Sequence, residues 1–349
     1  MIKTFKTDMR NKAIIFCLAL MGVVSCSKHD VEDAAPLSPI VFGQPHVENS
    51  TKAYNPAYST GSLEEITVYG TGTQEQLGQP VTRNIFYGVT VSKGARGWEY
   101  DHQYEQYWHE GNQYEFVAVA GTDKEQVMTD SNGMPAKISY SVAGQQDLLM
   151  DKYAYGIHGD KFQEQGSKNT TVNFVLSHLL SKVKFTFRNG HPLNSGLELV
   201  IKDVKIKNAY STATYTLNPQ ATETPWGNWE QAGGQQELNF GNVTFSPDKN
   251  APGDYLTTSH TGISTNHQML MIPGEYTEAE VTFTVELYMN PVMIMGENAQ
   301  RALLETRQYT RTLPSFTLQQ GKCYNIHTSV EMDLNRITFD IHQTTGWEN

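Results

Sequence analysis

The first residues with chemistry to offer stand at the end of an apolar run. Lys3, Lys6, Arg10 and Lys12 precede a hydrophobic stretch from Ala13 to Val24, the length of a signal-peptide core and too short to span a bilayer. The run stops in Val23-Val24-Ser25-Cys26, which resembles a lipobox, where small residues admit a signal peptidase and the cysteine thiol takes a diacylglycerol. Cys26 is therefore the expected lipidation site. Residues 1–25 read as a lipoprotein signal peptide and 26–38 as a charged, flexible tether. Elsewhere the residue types argue against an enzyme. The 11 histidines are scattered, without a helical ligand pair, and no Cys-x-x-Cys is present. Gly70-Thr71-Gly72 lacks the third glycine of a dinucleotide loop, and no Gly-x-Ser-x-Gly elbow occurs. Asp248, Asn250 and Asp254 do not have EF-hand spacing. No catalytic residue, metal or cofactor is expected.

Two constellations point to binding instead. Trp98, Tyr104 and Trp108 lie in an aromatic run interleaved with Glu99, Asp101, His102 and Glu105, a combination that can stack on sugar faces or cap a sandwich core. A surface lipoprotein that binds glycan through this loop is the alternative functional reading. His178, within an apolar passage, reads as a hydrogen-bonded packing residue, and Cys323 as a small buried hydrophobe.

The elements that must position these residues are strands. Val183, Phe185 and Phe187 alternate with Lys184, Thr186 and Arg188, and Val281 to Leu287 repeats the pattern, so each run puts one face in a core. Further strands are expected at 66–69, 114–120, 137–142, 197–207, 268–272, 324–332 and 337–342. Residues 94–112 and 218–236 read as long loops. The chain is expected to be all-β, in sandwiches. Without residues 1–25 about 320 of its 349 residues remain, which suit two domains, 39–176 and 177–349, with the boundary in the apolar passage 173–180. Removing residues 1–25 takes four of 26 Lys+Arg and one of 37 Asp+Glu, leaving 22 against 36 and a mature charge near −14. Such a surface repels nucleic acid and anionic headgroups, so membrane contact must come from the lipid.

Taken in order, the landmarks resemble the fimbrillins, the FimA- or Mfa-like subunit lipoproteins of type V pili. The resemblance runs from the lipobox through Pro39-Ile40-Val41-Phe42-Gly43, Thr51-Lys52-Ala53 and Tyr114-Glu115-Phe116-Val117-Ala118-Val119-Ala120. It continues through Asp147-Leu148-Leu149-Met150, the passage Val172 to Phe185, Met269-Leu270-Met271-Ile272-Pro273, Gly321-Lys322-Cys323-Tyr324 and the final Gly346-Trp347. The resemblance implies two tandem transthyretin-like β-sandwich domains and a role as stalk, tip or anchor subunit of a fimbrium at the outer-membrane surface. Its partners would be other pilus subunits, with a host or bacterial surface ligand for adhesion or biofilm formation. It further implies that a protease cuts after a basic residue, here Lys52 before Ala53. The cut would release a first strand containing Ile40, Val41 and Phe42, whose groove a strand of another subunit fills.

Overall fold

Alternating side chains of the kind seen at 183–187 commit this chain to strands, and strands are what the computed structural model contains. It describes residues 37–48, 63–109, 111–155, 171–244, 254–290, 300–331, 334–344 and 347. In chain order the strands are β1 (Val41–Phe42), β2 (His46–Val47), β3 (Glu65–Gln76), β4 (Gln79–Gly94), β5 (Gly97–Glu99), β6 (Gln113–Ala120), β7 (Val127–Thr129) and β8 (Pro135–Ser141). They continue with β9 (Leu149–Tyr155), β10 (Thr171–Val172), β11 (Val175–His178), β12 (Ser181–Gly190), β13 (Leu197–Leu217), β14 (Gly227–Gly241), β15 (Ile263–Ser264) and β16 (Met269–Met271). The last are β17 (Gly274–Tyr276), β18 (Glu280–Met289), β19 (Ala302–Thr312), β20 (Phe316–Leu318), β21 (Cys323–Glu331) and β22 (Ile337–Thr344). The described residues contain no α-helix, and the all-β expectation holds.

Three sheets carry the fold. The first runs β2-β11-β9-β6-β3-β4-β5 and is antiparallel except for the parallel β2–β11 pair. The second runs β15-β12-β21-β22, with β16 also on β12 and a parallel β12–β21 ladder. The third is antiparallel, β19-β18-β13-β8-β7, with β14 along the other edge of β13. Val183, Phe185 and Phe187 of the second sheet pack against Leu199, Ile201, Phe283 and Val285 of the third, which is a face-to-face sandwich core. A separate core gathers Ile66, Val68, Phe86, Phe116 and Phe174 under the first sheet. Between them Ile138, Tyr140, Leu148, Met150, Leu179, Leu180 and Tyr215 form a third cluster. It exists because β13 is long enough to pair with β18 over its first half and with β8 over its second. Strand pairing therefore crosses the 176/177 division, since β8 precedes it and β13 follows it.

The expected loop at 218–236 is corrected: from Gly227 onward it is strand β14, paired with β13. A register shift between Thr212 and Thr214 begins at Gly233, the partner of Thr212, and the φ values of Gly233 and Gly234, 102° and 76°, suit glycine. The bulge and the polar, outward-facing composition break the period-two signal.

Candidate functional site: the seat of the first strand

The segment from Ser38 to Glu48 enters the first core as a separate ribbon. Its main chain bonds first to the aromatic loop: Trp108 N–H donates to Ser38 O at 2.9 Å and Ile40 N–H to Gln106 O at 2.7 Å. It then turns to a second partner, with Gly43 N–H on Val172 O at 2.9 Å, His46 N–H on Phe174 O at 2.9 Å and Glu48 N–H on Leu176 O at 2.8 Å. Here β1 lies parallel to β10 and β2 parallel to β11. The pairing is thin, two residues at a time, so the side chains must supply most of the hold.

They do so by alternation. Ile40 is fully buried, Phe42 is 4% exposed and Val47 is buried, while Val41 between them is 39% exposed. Phe42 sits among four rings, with centroids 5.4 Å from Phe86, 5.7 Å from Tyr100 and 6.0 Å from both Phe116 and Phe174. Burying a side chain of this size contributes roughly 1.5–3 kcal/mol. Tyr100 closes over the segment, its hydroxyl donating to Ile40 O at 2.6 Å. Burial, the dominant influence, pushes the Tyr100 phenol up to about 12, so it stays a donor at any physiological pH.

The far end of the ribbon meets a polar junction. Glu48 accepts a 2.9 Å bond from the hydroxyl of buried Ser177. Next to it His178, 6% exposed, donates from Nδ1 to Asp147 Oδ2, and its ring stacks on Trp347 with centroids 3.7 Å apart. Trp347 is tied down by its Nε1–H on Gly321 O at 3.0 Å and by the Lys182 ammonium on its carbonyl. Gly121 allows Asp147 to sit here: its φ is +84°, and a Cβ would fall 1.8 Å from Asp147 O. His178 is thus the buried, hydrogen-bonded residue expected from sequence. Cys323 is buried in the same region, and burial pushes its thiol up to about 11, which suppresses thiolate chemistry despite Lys182 and Lys184 nearby.

The residues singled out from sequence fall in three places. Cys26, Lys52 and Ala53 lie outside the described residues. Ile40, Val41 and Phe42 form the buried ribbon. The aromatic set is not one surface: Trp108, 6% exposed, packs edge-on against Tyr114 at 4.8 Å and has no ring face open to a sugar. Trp98 is half-buried against the first core and Tyr104 is 46% exposed. The sequence did not reveal that Gln106 to Trp108 binds the ribbon's main chain, or that Ser177 holds its last described side chain. Among the described residues no group of three or more His, Cys, Asp or Glu could hold a metal ion.

The model of the fimbrillin-like family matches residues 51–347. The fold is similar to a fimbrial protein from Bacteroides vulgatus, with TM-score 0.58 and 14% identity over 88% of this chain and 99% of that one. Looser matches, both with TM-score 0.42 and 14% identity, are to proteins assigned to cell adhesion. The one from Bacteroides uniformis covers 81% of this chain and 91% of its own, and that from Bacteroides ovatus 88% and 96%. No curated protein sequence matches.

Proposed function

Because the chain belongs to the fimbrillin-like family, we propose that it is a subunit of an adhesive surface fibre, exported as a lipoprotein on Cys26 and assembled by strand exchange. As a family member it is a structural protein of the cell surface, not an enzyme. In this reading 39–176 and 177–349 are tandem transthyretin-like domains, and residues 38–48 are a temporary strand. A cut between Lys52 and Ala53 frees that strand together with the lipid, and a strand from another subunit takes its seat.

The observation that carries the reading is the seat itself. A short ribbon held by two-residue parallel ladders and by side chains in discrete pockets is what β-augmentation exchanges: main-chain bonds are common to any strand, and the pockets select. Its departure would leave β11 at a sheet edge, an exposure that a resident strand prevents. At the other end of the chain, β22 lies on the edge of the second sheet with Ile337, Phe339 and Ile341 half-buried on one face, a pattern suited to donation.

N-terminal sequencing of protein recovered from assembled fibres tests the reading. Chains beginning at Ala53 are expected, and fibres built only of chains beginning at lipidated Cys26 would refute the cut at Lys52.

A further inference from the structure

The seat does not end where the described ribbon ends. A cavity of about 560 Å³ opens beside Glu48 and is lined by Ser177, His178, Trp229, Lys322 and Trp347, among others. It is continuous with the groove, because Glu48 and Ser177 belong to both: Glu48 N–H bonds Leu176 O in the β11 pairing, and its carboxylate reaches Ser177 on the cavity wall.

We propose that this cavity is a specificity pocket which reads an acidic side chain, Glu or Asp, on the incoming strand at the place Glu48 now occupies. The proposal rests on the strand-exchange reading above and specifies the partner it requires. Among the described residues that line it, Glu48 is the one carboxylate, whereas Lys322 and His178 are the basic groups. When residues 38–48 leave, that acid leaves with them. The buried Ser177 hydroxyl then loses the acceptor it has here, and His178 Nε2 has no hydrogen-bond partner among the described residues, while Nδ1 is held by Asp147. A buried donor is best satisfied by an acceptor, and a charged acceptor makes the stronger bond. A carboxylate restores the bond to Ser177 and brings a negative charge to a lining that includes Lys322. An amide restores the bond without the charge, and a lysine supplies neither and adds a positive charge to a lining that already holds Lys322. The pocket therefore selects by attraction and by exclusion together. Apolar pockets for Ile40 and Phe42 accept many strands, and the polar end narrows the choice.

The test uses the intact chain with a specific protease site placed within residues 49–62, cleaved while residues 38–48 remain seated. A fluorescent peptide copying residues 38–49 is offered in excess and its exchange into the protein is followed by anisotropy, alongside Glu48→Gln and Glu48→Lys versions. The parent peptide is expected to bind about tenfold more tightly than the Gln version and at least thirtyfold more tightly than the Lys version, on the scale of charged against neutral hydrogen bonds. In Ser177→Ala protein the preference for Glu over Gln should shrink to about twofold, and Lys322→Gln should narrow the gap to the Lys peptide. Three peptides that enter with affinities within twofold of each other overturn the acidic pocket and leave strand exchange standing. If no peptide enters, strand exchange itself fails and the pocket with it.

Discussion

Replacing Phe42 by alanine isolates the contribution of one side chain to the hold on the first strand. The phenyl group is 4% exposed at the centre of a four-ring cluster, so its removal leaves a cavity walled by Phe86, Tyr100, Phe116 and Phe174 that cannot collapse without moving strands β4 and β6. Truncations of this kind cost about 3–5 kcal/mol. The ribbon's own pairing is short, so the loss should appear as local opening of residues 38–48 and not as global unfolding. At about 1.4 kcal/mol per power of ten, opening becomes more frequent by roughly two to three and a half powers of ten. Native-state hydrogen exchange reads this at the amides of Gly43, His46 and Glu48, which donate to Val172, Phe174 and Leu176. Their exchange should accelerate by that factor, while amides in the centre of β13 stay within about threefold. Val41→Ala, at a position 39% exposed, should change the same amides less than about fivefold. Acceleration below tenfold in Phe42→Ala, or an equal effect from Val41→Ala, would refute the account in which buried alternation and not main-chain pairing holds the strand.

Three further outcomes follow from the structure. Trp108→Ala should destabilise the chain by about 3–5 kcal/mol in urea unfolding and Tyr104→Ala by less than about 0.5 kcal/mol, because the first ring is core and the second is exposed. Trp347→Ala should cost about 3–5 kcal/mol by the same measurement, whereas Trp347→Phe, which can keep the stack on His178 but loses the bond to Gly321, should cost about 1–2 kcal/mol. On the outer face of β21 and β22, burial, then His342 with its ring 5.3 Å away, hold the His327 imidazole below its ordinary 6.5, with Lys184 acting in the same sense and Asp340 against it. The folded state therefore binds fewer protons than the unfolded chain just below pH 6.5, stability rises with pH across that window, and acidification weakens the β21–β22 pairing. Imidazole titration by NMR should place His327 below 6.5 and move it upward in His342→Asn.

What the sequence made legible was the material of the sheets. The alternation at 183–187 and 281–285 survives as core-facing residues, and the runs at 114–120 and 337–342 lie in β6 and β22. β4 and β19 carry a weak period-two signal for different reasons: β4 opens with a polar arm from Gln79 to Asn84 and then buries Phe86 and Val89 three residues apart, across Gly88 at φ 61°, whereas β19 is a sheet-edge strand whose side chains, Tyr309 apart, are largely exposed. Strands that bury little carry little period-two signal. The seat was half legible. Ile40-Val41-Phe42 reads as a short strand, but its partners at 106–108 and 171–176 are distant in sequence and contribute carbonyls and backbone N–H groups, which leave no mark on residue type. The aromatic run misled because Trp108 and Tyr104, four residues apart, differ in burial in a way that only the packing of Tyr114 and Phe116 decides.

The acidic end of the groove also bears on which strand can fill it. β22 of a second copy offers anchors of the right kind, since Ile337-x-Phe339 repeats the Ile40-x-Phe42 spacing. Laid in the same direction with those anchors matched, the chain would bring Thr345 to the position of Glu48. Shifted by two, so that Phe339 and Ile341 replace Ile40 and Phe42, it would bring Trp347. Neither is an acid. A threonine can still accept from Ser177 but carries no charge, and a tryptophan meets the hydroxyl with a donor only. A peptide copying residues 337–348 should therefore enter the nicked protein less readily than the 38–49 peptide, and exchanging Thr345 for Glu should recover much of the difference. If instead the unmodified 337–348 peptide equals or exceeds the 38–49 peptide, the apolar pockets alone decide partner choice and the polar end of the groove has no say in it.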